Sequence, residues 1–147
     1  MESIQQVKPR SVNSGSSDII TNNIRVRATA AFMPERSDME RNTFIFTYRI
    51  TIKNEDSDPV RLLSRHWIII NGDGDREEVQ GDGVVGENPE LSRGEEFTYS
   101  SYCPLSTHWG TMEGSYVMED LKGKQFVVAI GRFFLVADIS SPVEVSS

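Results

Sequence analysis

The run Gly81-Asp82-Gly83-Val84-Val85-Gly86 satisfies the pattern G-x-G-x-x-G. Glycines in such a pattern let the backbone approach a phosphate closely enough for amide N–H groups to cradle it. The dinucleotide version must follow a strand and open a helix, whose N-terminal amides hold the pyrophosphate. Here Glu87-Asn88-Pro89-Glu90-Leu91-Ser92-Arg93-Gly94 follows, without a helical apolar period and with another glycine soon reached. The Rossmann reading fails on that context. A glycine loop shaped by positive-φ turns is expected, with pyrophosphate or nucleotide binding by Gly81, Asp82, Gly83, Val84, Val85 and Gly86 as the alternative.

Charge bears on the same loop. From Asn71 to Glu96 there are nine acids against Arg76 and Arg93, a net of -7 that equals the net of the whole chain. Such a field repels phosphate unless amides and a nearby arginine overcome it. The acids could instead hold a hard cation, which takes oxygen ligands. Asn71-x-Asp73-x-Asp75 resembles the start of a calcium loop, but Arg76 stands where that loop needs glycine. Strand alternation sends Glu77 and Glu78 to opposite faces, leaving about three carboxylates and water for a six-ligand ion. The expectation is at most weak, salt-sensitive binding of a divalent cation, and no residue is assigned as a metal ligand.

In Ser64-Arg65-His66-Trp67, alternation puts Arg65 and Trp67 on one face and Ser64 and His66 on the other. Trp67 reads as core, and Arg65 as stacked on a ring or paired with a carboxylate. Arg65, His66 and Trp67 together are the candidate interaction surface. Cys103, His66 and His108 lack zinc-ligand spacing, and Cys–His nucleophilic chemistry would require them to converge. A packed thiol is the expectation for Cys103. No catalytic residue and no cofactor is assigned.

The elements that would position these groups are strands. Ile24, Val26, Ala28, Ala30 and Phe32 alternate with Arg25, Arg27 and Thr29, and Phe44, Phe46, Tyr48, Ile50 and Ile52 with Ile45, Thr47, Arg49 and Thr51, the period of strands with one buried face. Val60–Ile70 is apolar on both sides and reads as a central strand. Asn71-Gly72-Asp73-Gly74-Asp75 is hairpin-turn chemistry, and Arg76–Gln80 returns from it. Phe97–Cys103, Gly110–Met118 and Lys124–Leu135 complete about seven short strands with no convincing helix, which indicates an all-β sandwich of immunoglobulin or fibronectin type III character. A small barrel is the alternative. Residues 1–22, rich in Ser, Asn and Gln, read as a disordered tail, 23–139 as the domain and 140–147 as a flexible C-terminus.

At 147 residues the chain fits one domain, large enough to fold without a disulfide. One cysteine suits a reducing compartment. Net acidity disfavours nucleic acid and anionic membrane surfaces. The apolar runs Phe126–Ile130 and Phe133–Ala137 fall far short of the roughly 20 residues a spanning helix needs. The N-terminus has no apolar h-region, and a cytoplasmic location is expected.

Several motifs in order resemble the ApaG family. They are Tyr48-Arg49-Ile50-Thr51-Ile52-Lys53-Asn54, Leu62-Leu63-Ser64-Arg65-His66-Trp67-Ile68-Ile69, Glu77-Glu78-Val79-Gln80-Gly81-Asp82-Gly83-Val84-Val85-Gly86-Glu87-Asn88-Pro89, Phe97-Thr98-Tyr99-Ser100-Ser101 with Cys103-Pro104-Leu105, and Gly110-Thr111-Met112-Glu113-Gly114-Ser115-Tyr116. The resemblance covers about Ile24 to Leu135. It implies a fibronectin type III-like sandwich without accepted catalytic residues. It also implies bacterial relatives linked to cobalt resistance and magnesium efflux, and eukaryotic relatives in which the domain, fused to F-box or other modules, serves protein interaction. The glycine motif proposed as a pyrophosphate site in that family maps to Gly81, Gly83 and Gly86. Gly131-Arg132 departs from the prolines usual before the last strand's exit. The resulting expectation is a non-enzymatic protein-binding module, its partner unidentified.

Overall fold

The computed structural model describes residues 15–138. Residues 1–14 of the expected tail and the expected flexible segment 140–147 lie outside the described residues. Among the described residues nine strands run in chain order: β1 (Ser16–Thr21), β2 (Ile24–Phe32), β3 (Phe44–Asn54), β4 (Val60–Asn71), β5 (Arg76–Asp82), β6 (Glu90–Leu91), β7 (Glu96–Leu105), β8 (Trp109–Asp120) and β9 (Gln125–Val136). Single turns of 3-10 helix, Pro34–Arg36 and Met39–Arg41, join β2 to β3. One sheet has the order β9-β8-β4-β5, with β6 also paired to β4, and the other has β1-β2-β3-β7. Every pairing is antiparallel. This is the all-β sandwich that the alternation predicts.

The period-two pattern decides which faces meet. On β3, Phe44, Phe46, Tyr48, Ile50 and Ile52 are buried while Arg49 is exposed. Tyr48 meets Trp67 of β4 edge-on at 5.3 Å, and Trp67 meets Phe133 of β9 at 6.1 Å. These rings join the two sheets through the core. β4, apolar on both faces, lies between β8 and β5 as expected.

Two strands were not expected. Ser16–Thr21, assigned above to a disordered tail, is β1, paired with β2 from Ser16↔Thr29 to Thr21↔Ile24. Asn22 and Asn23 close that hairpin at φ 50 and 65. Positive φ at both central residues is the signature of the turn that matches strand twist, and asparagine tolerates it. The local signal was therefore Asn-Asn flanked by Ile19, Ile20 and Ile24, diluted by the polar residues before it. β6, the other addition, is only two residues long.

β1 also closes one side of the sandwich. Ser17 Oγ donates to the Gly131 carbonyl of β9 at 2.7 Å, and the Ala129 amide donates to Thr21 Oγ1 at 3.2 Å. β9 bulges between Ile130 and Phe133, and a Cβ at Gly131 would sit 2.8 Å from the Ile19 side chain. The small residue in place of proline thus lets β1 approach. On the opposite side β5 and β7 are the edges of their sheets among the described residues.

Asn54 is a buried polar residue that ties the β3–β4 connection to β6. Its Nδ2 donates to the carbonyls of Asp58 and Leu91 at 3.2 and 3.1 Å, and its Oδ1 accepts from the Ser57 amide and hydroxyl at 2.8 and 2.9 Å. Removing it strands buried partners, which costs more than a hydrogen bond contributes. Asn54→Ala is expected to lower stability by roughly 2–4 kcal/mol in urea titration, and a loss under about 0.5 kcal/mol would show these bonds to be dispensable.

Candidate functional site

The glycine loop is built on an irregularity in β4. The register with β8 slips between Leu62 and Ser64, so Leu63 is the extra residue of a bulge and its carbonyl is released from the ladder. A released carbonyl must find another donor. It accepts from the Gly83 amide at 2.9 Å and from Asn88 Nδ2 at 3.2 Å. Asn88 also donates to the Leu62 carbonyl at 3.1 Å, and the Leu62 amide donates to the Pro89 carbonyl at 3.0 Å. The segment between β5 and β6 is thereby pinned to the edge of β4.

Arg65 completes the anchorage. It lies on the inner face with Trp67, and its Nη1 donates to the carbonyls of Asp82 and Gly83, both at 2.9 Å. Its guanidinium crosses Gly81, where a Cβ would meet Nη2 at 2.8 Å. Among the described residues Arg65 takes neither expected role, stacking on a ring or pairing with a carboxylate; it caps loop carbonyls. His66 faces outward and pairs with Glu78 Oε1 at 2.9 Å, while Trp67 is 3% exposed. The three residues do not share a surface.

Gly83 takes φ +62, and a Cβ there would collide with the Glu87 carbonyl. Val84 and Glu87 exchange both backbone bonds at 2.8 Å around Val85 and Gly86, at φ 42 and 80. Val84 is fully buried and Val85 is exposed. A β-branched residue at positive φ is strained. The amides of Gly83, Val84 and Glu87 therefore bond inward, and only those of Val85 and Gly86, at the tip, remain to meet an anion. Gly83→Val is expected to lower the melting temperature by several degrees, about 2 kcal/mol or more, whereas Val85→Asn should raise it. Calorimetric melts check both, and an unchanged melt for Gly83→Val would contradict the structural role of the loop.

The acidic hairpin does not gather. Asn71 Oδ1 accepts from the amides of Asp73 and Asp75 at 2.9 and 3.0 Å, closing the turn. Glu78 Oε2 accepts from Arg76 Nη2 at 2.7 Å. That arginine, with His66 second, holds the Glu78 carboxyl below the usual carboxylate range. Glu77 faces the other way, as alternation requires, into the gap between β5 and β7. Among the described residues, no three of His, Cys, Asp and Glu come together in a way that could hold a metal ion.

Cys103 and His66 lie on different faces, so sequence proximity in type does not become a nucleophile–base pair. Burial, then the Glu77 charge, pushes the Cys103 thiol up to about 12. Tyr99 and Tyr116, whose hydroxyls meet at 2.5 Å in the core, are also pushed up, chiefly by burial. Sequence reasoning gave no role to this tyrosine pair or to Asn88; the only signal for Asn88 was its place between the glycines and Pro89. Raised acids stabilise the fold at pH values below their ordinary pKa, 9.0 for the thiol and 10.0 for the phenols. The unfolded chain ionises first as pH rises, so that stability is progressively lost above those values. Urea midpoints should fall between pH 8 and pH 11, by up to about 1.4 kcal/mol per pH unit per group, and Cys103→Val should flatten the fall. A flat profile for the parent chain would contradict the buried, protonated state.

Comparison with known proteins adds identity to this geometry. The model of the ApaG domain matches residues 34–120. Protein ApaG of Anaeromyxobacter dehalogenans is 45% identical over 120 residues, covering 82% of this chain and 94% of the relative. Protein ApaG of Pseudomonas putida is 47% identical over 112 residues, covering 76% and 89%. Among solved structures, the putative ApaA protein of Bordetella pertussis superposes with a TM-score of 0.76 at 38% identity, covering 86% of this chain and 98% of that one. The matched stretch contains β3, the bulged β4, the glycine loop and β7: the chain belongs to the ApaG family.

Proposed function

We propose that the chain is a non-enzymatic binding module that engages another protein along the open side of its sandwich. The observation that carries this is the asymmetry of the two sides. β1 and β9 seal one, while on the other β5 and β7 end their sheets without a neighbouring strand among the described residues. An unpaired strand edge offers backbone donors and acceptors to an extended segment. The β4–β5 hairpin and the glycine loop on this side are acidic. Asp73, Asp82 and Glu87 lie on or beside β5 and make no ion pair among the described residues, so a basic partner segment is favoured in encounter.

The absence of an enzyme role in this proposal is supported by the separation of Cys103 from His66 and by the protonated thiol. The family's link to cobalt resistance and magnesium efflux would then run through the partner, not through a tight metal site on this chain. Pyrophosphate binding by Gly81–Gly86 is the second reading, and the amides of Val85 and Gly86 alone favour it. No helix among the described residues is long and apolar enough to cross a membrane.

Two experiments test the proposal. Capture from a native lysate with the folded chain as bait, run beside Asp73→Asn/Asp82→Asn/Glu87→Gln, should yield a partner that salt releases and the variant loses. Equal capture by both would contradict the open-side surface. Calorimetric titration with Mg²⁺ and Co²⁺ at physiological salt should give at most millimolar affinity, as for exposed screened charges; submicromolar binding would contradict the indirect link to cations.

A further inference from the structure

Between the inner faces of β5 and β7 the sandwich opens into a cleft of about 250 Å³ lined by Tyr48, Arg65, Trp67, Glu77, Val79 and Cys103, among others. It holds far more than one water, whose share of liquid volume is about 30 Å³. Its size falls just below the usual range for ligand pockets, about 300–1,000 Å³, which suits a small molecule.

The lining is selective. Arg65 uses Nη1 on the two loop carbonyls, leaving Nε and Nη2 without a partner among the described residues. Trp67 is buried, and its indole Nε1 makes no hydrogen bond. The ring lines the cleft, but Nε1 itself is shut off from it by the packing around it. Glu77 lines the same cleft and makes no ion pair with Arg65 or with another residue described. One unneutralised cation and one unneutralised anion therefore share a cleft whose other walls include Tyr48, Val79, Met112, Ser101 and Cys103. A free anion would meet Glu77 and the acidic edge of β5, and a free cation would meet Arg65. A molecule carrying both charges satisfies both.

We propose that this cleft binds a small zwitterion with an apolar body, of the α-amino acid type. Its carboxylate would accept from Arg65, its ammonium would face Glu77, and its side chain would lie against Tyr48, Trp67 and Val79. The cleft opens on the side proposed for the protein contact, and a titration of the chain alone reads it separately from that contact.

The test uses the full chain labelled with ¹⁵N. Its two tryptophans give two indole resonances, assigned with Trp67→Phe, and Trp109 on the surface serves as the reference. Titration with phenylalanine and leucine should move the Trp67 resonance saturably and leave that of Trp109 in place. Phenethylamine, lacking the carboxylate, and 3-phenylpropionate, lacking the ammonium, should each bind at least about tenfold more weakly. Glu77→Gln, an exposed change that leaves the fold intact, should weaken binding similarly, and Val79→Phe should block it by filling the cleft. No saturable movement with either amino acid, equal binding of the two analogues, or undiminished binding in Glu77→Gln or Val79→Phe would overturn the proposal.

Discussion

A carbonyl released from a β-ladder has to be bonded by something else, and the bulge at Leu63 releases one. The arrangement around the glycine loop follows from how that oxygen is satisfied. Gly83 and Asn88 donate to it. Their geometry folds the intervening residues into a tight turn, with Val84 buried beneath it. Arg65, two positions beyond the bulge, then reaches the carbonyls of Asp82 and Gly83. A glycine pattern associated with phosphate cradles is here turned around: the amides of Gly83 and Val84 are bonded within the protein, and the carbonyls of Asp82 and Gly83 face a cation.

The same residues link the loop to the cleft. Arg65 bonds the loop with one nitrogen and lines the cleft with the rest of its guanidinium, and Trp67 ties that wall to Tyr48 and Phe133 in the core. Strain supports the view that the loop is held rather than mobile. Val85 sits at φ 42, a conformation a valine adopts only when its surroundings impose it. Because one side of the sandwich is sealed by β1, the free edges, the acidic charge and the cleft all fall on the other side.

Much of this was legible in the residues. Alternation in Phe44–Ile52 and the two-sided apolarity of Val60–Ile70 gave the sandwich and its central strand. The hairpin at Asn71–Asp75 followed from turn chemistry. The opposite facing of Glu77 and Glu78, and of Arg65 and His66, came from period two alone. The strand Ser16–Thr21 was hidden because three of its residues are exposed and its neighbours upstream are polar, so its stability comes from β2 and β9 and not from its own pattern. Nor could the sequence show that Arg65 would cap carbonyls in place of a carboxylate, since the acceptors are backbone atoms created by a bulge. The orphan donor of Trp67 likewise has no sequence signature.

Amide hydrogen exchange of the native chain, read residue by residue, tests most directly whether the glycine loop is an inward-bonded structural element. The amides of Gly83, Val84 and Glu87 are expected to exchange as slowly as those of neighbouring strands, those of Val85 and Gly86 quickly, and added pyrophosphate should leave the slow set unchanged. Fast exchange at Gly83, Val84 and Glu87, or protection that appears there only with pyrophosphate, would contradict that role and return the loop to anion binding.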